Sequence, residues 1–419
     1  MIPERRPAKL AALMVARGRV VSSTVTALQL VAAATALVLA TGCRHGSAQG
    51  AGTPAAQRAS AGRAALTRAA PSATDHPPTA PEPEPKPRML WMAAVGDIML
   101  DRGVARRIRQ NGAETVLAKV RAQTRAPYLS FANLECPLST EGPHDPANCC
   151  FRADPKTVQV ILDGGFDVVS LANNHSLNAG RAGVEQTLDV LDENGIAYVG
   201  ANRDKERSWE PVVFNVADVK VGFMAYTDLS FQHGSYCKID ADPTAVYDQI
   251  ARTKKRCDVL FVSVHWGEEY HGKRSERQRK TALSVIDAGA DCILGHHPHT
   301  LQGIGVYKGK PILYSMGNFV FDQREGERME SALFELWWKE GGRWQIKATP
   351  VWIDRARMGP VYPSTQRAAK IARRLRDLSA DLGTQATIEG SRVMVHIDPT
   401  AKPTIPAKTR PKALLKATP

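Results

Sequence analysis

The chain has 419 residues, enough for one large core or two domains. Its formal charge of +13 is unevenly spread: residues 1–88 and 364–419 each carry 11 basic and 4 acidic groups, leaving the central segment near neutral at about −1. A nucleic-acid enzyme carries its basic excess on the folded domain, so this distribution argues against a nucleic-acid partner and suits flanks that meet a membrane surface or an acidic polymer.

Arg5, Arg6, Lys9, Arg17 and Arg19 precede an uncharged run over residues 20–41 that turns apolar near Ala27 and ends in Ala40-Thr41-Gly42-Cys43. That layout is a secretion signal and is set aside from fold reasoning. The small residues before a cysteine resemble a bacterial lipoprotein leader over residues 1–43, which predicts an exported chain anchored to a membrane of the envelope by lipid on Cys43. A plainly cleaved signal and a retained membrane helix are the alternatives, since the run approaches the roughly 20 residues that a span requires. Residues 44–88, rich in Ala, Pro, Ser, Thr and Gly, cannot bury a core and are expected to be a disordered tether.

From residue 89 the pattern changes. Runs at 90–95, 129–132, 166–172, 259–264, 292–294 and 311–316 are mostly β-branched, aliphatic or aromatic and read as buried strands. Helical patterns lie between them at 104–108, 116–122, 155–162 and 183–194, the last closed by Asn194-Gly195. Strand, helix, strand is the signature of an α/β fold with a parallel or mixed sheet. Residues 333–353, with Trp337, Trp338, Trp344 and Trp352, alternate like antiparallel edge strands. After Pro363, the spacing of Ile371, Leu375, Leu378 and Leu382 predicts an amphipathic helix. The expected layout is a main domain over 89–363, a helix and strand packing on it over 364–398, and a disordered basic tail over 399–419.

Each apolar run ends in a polar cluster: Gly96-Asp97, Asn133-Leu134-Glu135, Asn173-Asn174-His175, His265-Trp266, Gly295-His296-His297-Pro298-His299 and Gly317-Asn318. Loops beyond the carboxyl ends of parallel strands converge on one crevice, so residues far apart in sequence meet there. Asn133 and Glu135, two apart, share a face, with Asn133 placed to orient Glu135. Taken singly, Gly96-Asp97 also reads as a turn, the Asn pair as a helix cap and His265 as a core histidine. Three imidazoles in four residues with a proline between two of them read as a rigid ligand clip. The nitrogen and oxygen donors, without thiolates, suit manganese, iron or zinc, and a two-metal site is consistent with them.

Beyond Cys43, six cysteines remain in an exported chain, which permits disulfides. Cys136 with Cys149 or Cys150 would close a short loop beside Glu135, whereas Cys257 and Cys292 adjoin core strands as expected buried thiols. The absence of a CxxC pair argues against a structural zinc cluster, and neither Gly-x-Ser-x-Gly nor Gly-x-Gly-x-x-Gly occurs.

The stretches 94–100, 132–135, 172–175, His265-Trp266-Gly267 with Glu269-Tyr270, 289–299, Leu301-Gln302-Gly303 and 314–319 together resemble the CapA family of capsule-synthesis or poly-gamma-glutamate biosynthesis proteins, over about residues 92–322. The resemblance implies a calcineurin-like metallophosphoesterase fold: a four-layer α-β-β-α sandwich with mixed sheets, here with an added C-terminal amphipathic helix. It implies two divalent ions, with Asp97 and His299 at one, Asn174, His265 and His297 at the other, and Glu135 bridging. His175 would be the general acid, and Arg102, Asn133, Asn173, Glu269, His296 and Asn318 would contact substrate or support the ligands. The function implied is an envelope hydrolase or transferase acting on an anionic capsule-like polymer or its precursor, with capsule-export proteins as partners. The alternatives are a secreted phosphatase or nucleotidase and a non-catalytic polymer-binding lipoprotein. Two positions depart from the wider pattern: Met99 stands where those enzymes have a histidine, and Asn178 where an aspartate is common.

Overall fold

The computed structural model describes residues 87–204, 207–229, 243–323 and 325–399. The expected leader, Cys237, the tail from residue 400 and the tether up to residue 86 lie outside the described residues. In chain order, the first half comprises β1 (Met89–Ile98), α1 (Arg102–Asn111), α2 (Arg121–Arg125), β2 (Leu129–Leu134), α3 (Val158–Gly164), β3 (Val168–Ser170), α4 (Gly180–Glu193), β4 (Ala197–Val199), β5 (Val212–Val216) and β6 (Val219–Thr227). There follow α5 (Pro243–Lys254), β7 (Val259–His265), α6 (Glu276–Ala288), β8 (Cys292–His296), β9 (Ile304–Tyr307), β10 (Lys310–Leu313) and β11 (Asn318–Val320). The remainder is β12 (Glu330–Lys339), β13 (Arg343–Asp354), β14 (Gly359–Val361), α7 (Thr365–Ala380), β15 (Ala386–Glu389) and β16 (Arg392–Ile397).

The strands form two sheets. The first runs β15-β16-β13-β12-β1-β2-β3-β4, with β11 beside β1 and β14 beside β13; the second runs β5-β6-β7-β8-β10-β9. Parallel pairing holds over β1 to β4 and β6 to β8, and antiparallel pairing over β12, β13 and β16. Period-2 alternation sorts the side chains of β1. Leu90, Met92 and Ala94 enter a core shared with Phe131 of the first sheet and Phe223, Phe261 and Val262 of the second. Val95 instead joins Val104, Ile161, Val184 and Leu188 beneath α1, α3 and α4. Val246 and Ile250 of α5 and Ala282, Val285 and Ile286 of α6 cover the other sheet. The architecture is therefore the four-layer α-β-β-α sandwich. Aromatic rings knit its middle: Phe131 stacks on Phe223 at 6.0 Å, and Phe223 on Phe261 at 5.2 Å.

Three expectations are corrected. The Trp-rich strands β12 and β13 are antiparallel but interior, because β1 and β16 pair along their outer sides and Trp91 stacks on Trp337 at 6.0 Å. The pattern at 116–122 is mostly turn, with the helix starting at Arg121, because Val116, Leu117 and Val120 are buried by folding down rather than along one helical face. Cys136, Cys149 and Cys150 also stay free thiols instead of closing a loop. The Cys136 sulfur accepts from Leu100 N at 3.3 Å, while that of Cys150 donates to Asn178 O at 3.2 Å, so each is engaged elsewhere.

The helix α7 buries Ile371, Ala372 and Leu375 and touches β13, β15 and β16 of one sheet and β9 of the other. Ser364 caps it, and Ser379 Oγ accepts from Ile304 N at 3.0 Å, which fixes its far end. Among the described residues, no helix is long and apolar enough to cross a membrane.

Candidate metal centre

Sheet register brings the polar clusters together. In the first sheet Asp97 lies level with Asn133 on one side and Asn318 on the other; in the second, His265 lies level with Thr227 and His296. A bulge turns Asp97 inward: residues 95–97 of β1 span the interval that two residues span in β2, and Ile98 then lies on the helix side with Val95. Gly96 permits it, since a Cβ there would sit 1.8 Å from Gly317 O, and Asp97 N donates to that oxygen at 3.0 Å. Gly295 plays the same part before the histidines, where a Cβ would meet Tyr314 O at 2.1 Å. His297 and His299 flank Pro298 at φ 94° and 56°, left-handed conformations that a non-glycine side chain holds only under constraint.

The donors are buried and crowded. Asp97 Oδ1 accepts from Asn133 Nδ2 and from His296 Nδ1, both at 2.9 Å. The same Asn133 amide faces Glu135 Oε2 at 3.3 Å and His265 Nδ1 at 3.4 Å, so three acceptors compete for two hydrogens. Asn173 Nδ2 donates to Asn133 Oδ1 at 3.2 Å and holds that amide in place. His265 Nε2 donates to Asn174 Oδ1 at 2.7 Å. His299 Nδ1 donates to Asn318 Oδ1 at 2.8 Å. One ligand atom each from Asp97, Glu135 and His265 lies within 4.8 Å of the others, and the same holds for Glu269, His297 and His299. Thus every residue singled out for the site from sequence is brought to one place. The grouping by proximity differs, with His265 beside the two carboxylates and Glu269 beside His297 and His299.

Electrostatics test whether a cation fits. Burial alone would raise Asp97, but the His296 hydrogen bond and the nearby His299, whose Nδ1 lies 3.5 Å from Asp97 Oδ2, outweigh it and hold the carboxyl well below its usual range. Burial and then the neighbouring Asp97 charge push Glu135 well above its own range. Burial also disfavours the charged form of two imidazoles, lowering His265 well below its ordinary value and His297 to about 3. Asp97 Oδ2 and Glu135 Oε1 are buried with no hydrogen-bond partner. Two buried acidic side chains with orphaned oxygens, beside His265 and His297 whose charged forms burial disfavours, form a donor set short of positive charge, and divalent cations fit it.

Beside these donors a cavity of about 690 Å³ opens, which His175, Glu269 and His299 of the site line together with Arg102, Phe151, Tyr270 and Arg328. His175 stacks on Phe151 with ring centres 4.3 Å apart. Phe151 N donates to Asn178 Oδ1 at 2.9 Å, which fixes the oxygen of that amide toward His175 Nδ1, 2.8 Å away. His175 therefore carries its proton on Nδ1 and receives Asn174 Nδ2 at Nε2, 3.0 Å away. Burial pushes its pKa down to about 4. Met99 is fully buried among the apolar residues under the helices, and its sulfur accepts from Asp101 N at 3.1 Å.

The central stretch, residues 91–323, matches the family described as "Bacterial capsule synthesis protein PGA_cap". The chain belongs to this family. PGA_cap lies within the metallophosphoesterase-like superfamily, in keeping with the sandwich and its donor-rich strand ends. The "PGA biosynthesis protein CapA" of Bacillus subtilis (strain 168) is 32% identical over 318 residues, covering 74% of this chain and 83% of that relative. The "Capsule biosynthesis protein CapA" of Bacillus anthracis is 34% identical over 286 residues, covering 65% and 69%. A "Probable polyglutamine synthesis accessory protein" of Mycobacterium tuberculosis (strain ATCC 25618 / H37Rv) is 31% identical, covering 48% and 57%. The likeness to a solved 5'-nucleotidase from Candida albicans SC5314, with 9% identity, 70% and 58% coverage and a TM-score of 0.35, carries no argument.

Sequence reasoning assigned no role to Phe151 or Arg328, and quoted Tyr270 only within a motif. Phe151 and Arg328 lie outside the strand-end clusters and reach the cavity from a loop and a short turn. The Glu269-Tyr270 pair, close behind His265, was the available signal for Tyr270.

Proposed function

We propose that the chain is a metal-dependent hydrolase or transferase of the cell envelope, acting on an anionic capsule-like polymer or its precursor. The observation that carries this is the pair of orphaned carboxylate oxygens, Asp97 Oδ2 and Glu135 Oε1, buried among imidazoles behind the cavity that His175, Glu269 and His299 line. Family membership and the capsule and PGA biosynthesis names of the relatives supply the capsule-associated role. Lipid on Cys43 would hold the unit at a membrane, with the basic flanks beside the polymer.

In this reading Asp97, Glu135 and His265 hold one ion and Glu269, His297 and His299 the other, with Asn174 beside His265. Manganese, iron or zinc suits these donors. When bound, such ions polarise a phosphoryl or acyl oxygen and supply a hydroxide near neutral pH. Asn133 and Asn173 keep the carboxylates in register, and Asn318 orients His299. His175 Nε2 is the atom that exchanges a proton with the leaving group, while Asn178 fixes the tautomer through Nδ1.

A second reading, a polymer-binding protein without turnover, is favoured by two observations. Met99 is packed in the core, and His175 has an amide rather than a carboxylate behind it, which leaves the imidazolium unsupported. One experiment separates them: elemental analysis of the purified chain and of His297→Ala and His299→Ala, followed by turnover of phosphoesters and poly-gamma-glutamate. Bound metal that falls in both variants, with turnover in the parent, is expected. Metal without turnover on either substrate would leave the binding protein, and no metal after reconstitution would sink the enzyme reading.

A further inference from the structure

Above the metal-ligating floor, the cavity has two walls that share one construction. On one, the Arg102 guanidinium lies over Phe151 at 4.7 Å and near Phe321 at 5.7 Å, and Nη2 donates to Asp322 Oδ1 at 2.5 Å. On the other, the Arg328 guanidinium lies over Tyr270 at 4.6 Å, and Nη2 donates to Glu325 Oε2 at 2.7 Å. A guanidinium has five N–H donors, so one carboxylate contact fixes its plane and leaves most donors uncommitted. Arg102 Nε is buried without an acceptor.

Of the acidic groups on the same walls, Asp322 and Glu325 are paired with the two arginines, and Glu269 falls to the metal in the reading above. Asp322 is held by Arg102 and by Gly103 N at 3.0 Å, and Glu269 stands with His297 and His299. The second wall is also tied to the floor. Arg328 O accepts from Asn318 Nδ2 at 3.0 Å, and that same Asn318 accepts from His299. Tyr270 N donates to Pro298 O at 2.8 Å, and its ring lies 6.0 Å from that of His299. Tyr270 is 48% exposed and sits at φ 67°. A bulky residue in that region is strained, and such strain persists where surrounding contacts enforce it. The result is an exposed aromatic plate held between the ligand histidine and a guanidinium.

We propose that Arg102 and Arg328 together hold a second oxyanion of the substrate, borne beside the group that reaches the metal-ligating floor, and that Tyr270 positions Arg328 for this task. The inference rests on the functional reading above and adds a requirement to it: a substrate with one anionic group is not enough. A cavity of about 690 Å³ has room for the flanking units of a charged polymer. Guanidinium recognises carboxylate and phosphate alike, so the shared chemistry is an oxyanion.

The test is calorimetric binding to the full chain, with metal and after chelation, using three probes: a γ-linked glutamate trimer, the matching neutral γ-linked glutamine trimer, and a glycerol phosphate trimer. We expect one anionic trimer to bind, identifying carboxylate or phosphate as the group read, and the neutral trimer to bind at least tenfold more weakly. Arg102→Gln and Arg328→Gln should each weaken the anionic probe about tenfold or more and flatten its salt dependence. Tyr270→Ala should weaken it several-fold, and Tyr270→Phe should restore it. Arg328 lies on a short exposed turn, so its variant decides the matter even if Arg102→Gln fails to fold. Unchanged binding by Arg328→Gln, equal binding of the neutral trimer, or no binding of either anionic trimer would overturn the proposal. Arginine-dependent binding by a chain that takes up no metal would keep this inference and sink the metal reading; a metal-loaded chain indifferent to both arginines would do the reverse.

Discussion

The two sheets contribute different chemistry to the centre. From the first come the carboxylates Asp97 and Glu135 and the amides Asn133, Asn173 and Asn174; from the second come His265, His296, His297 and His299. Hydrogen bonds cross between them, among them Asp97 with His296, Asn174 with His265 and Asn318 with His299. At the Asp97, Glu135 and His265 group, hard oxygen donors of the first sheet meet a borderline nitrogen donor of the second, a mixed set that neither sheet supplies alone, whereas Glu269, His297 and His299 all follow strands of the second. The lesson is that affinity for a cation depends on the packing between the sheets as much as on the ligands.

The largest effect should come from deleting one donor from each side. Asp97→Ala and His297→Ala are each expected to lower metal affinity at least about a hundredfold, read by elemental analysis after dialysis. If only the imidazole side mattered, Asp97→Ala would keep its metal, and the picture of a shared clasp would fail. Next comes the packing itself. Phe223 stacks on Phe131 of the opposite sheet, and Phe131 lies 5.9 Å from the His296 ring. Phe223→Ala should cost roughly 3–5 kcal/mol of stability by denaturant titration. It should also weaken metal binding although it touches no ligand.

A smaller and more diagnostic change is Asn178→Asp, which places a carboxylate on His175 Nδ1. It should raise turnover of a phosphodiester with an alkyl alcohol leaving group, which needs protonation, by about tenfold at fixed metal loading. No gain would show that the acid is not what limits this chain. The smallest effect is expected far from the clasp, at Arg367, whose guanidinium lies 4.1 Å over Trp352. Arg367→Ala should lower stability by under about 1 kcal/mol in a thermal melt and leave metal content unchanged.

Much of this centre was legible because each strand announces itself twice, by an apolar run and by the polar cluster that ends it. That pattern gave the strands carrying Asp97, Glu135, His265 and His296, and the ligand clip around Pro298. It did not give β5, β6, α5 or α6, which carry no cluster and only complete the second half of the sandwich. Nor did it give the interior placement of β12 and β13, because alternation reports one face of a strand and says nothing about what pairs along its edges. Cys257 and Cys292 are the buried thiols their strands suggested, but the loop at Cys136 was misread for a related reason: closeness in sequence suggested a bridge, and contacts of Cys136 with Leu100 N and of Cys150 with Asn178 O settled otherwise.

The sequence by itself determined the composition of the donor set, the order in which strands deliver it and the glycines that let backbones approach. Gly96 and Gly295 had to lack a side chain so that the backbone could approach Gly317 O and Tyr314 O. Only the tertiary structure decided which way those ligands face and which of them meet. By parity Asp97 belongs with Val95 on the helix side; the single-residue bulge beside Gly96 turns it toward His296. Likewise Glu269 joins His297 and His299, and Arg328 joins Tyr270, because contacts between elements distant in the chain are fixed by packing, to which local periodicity is blind.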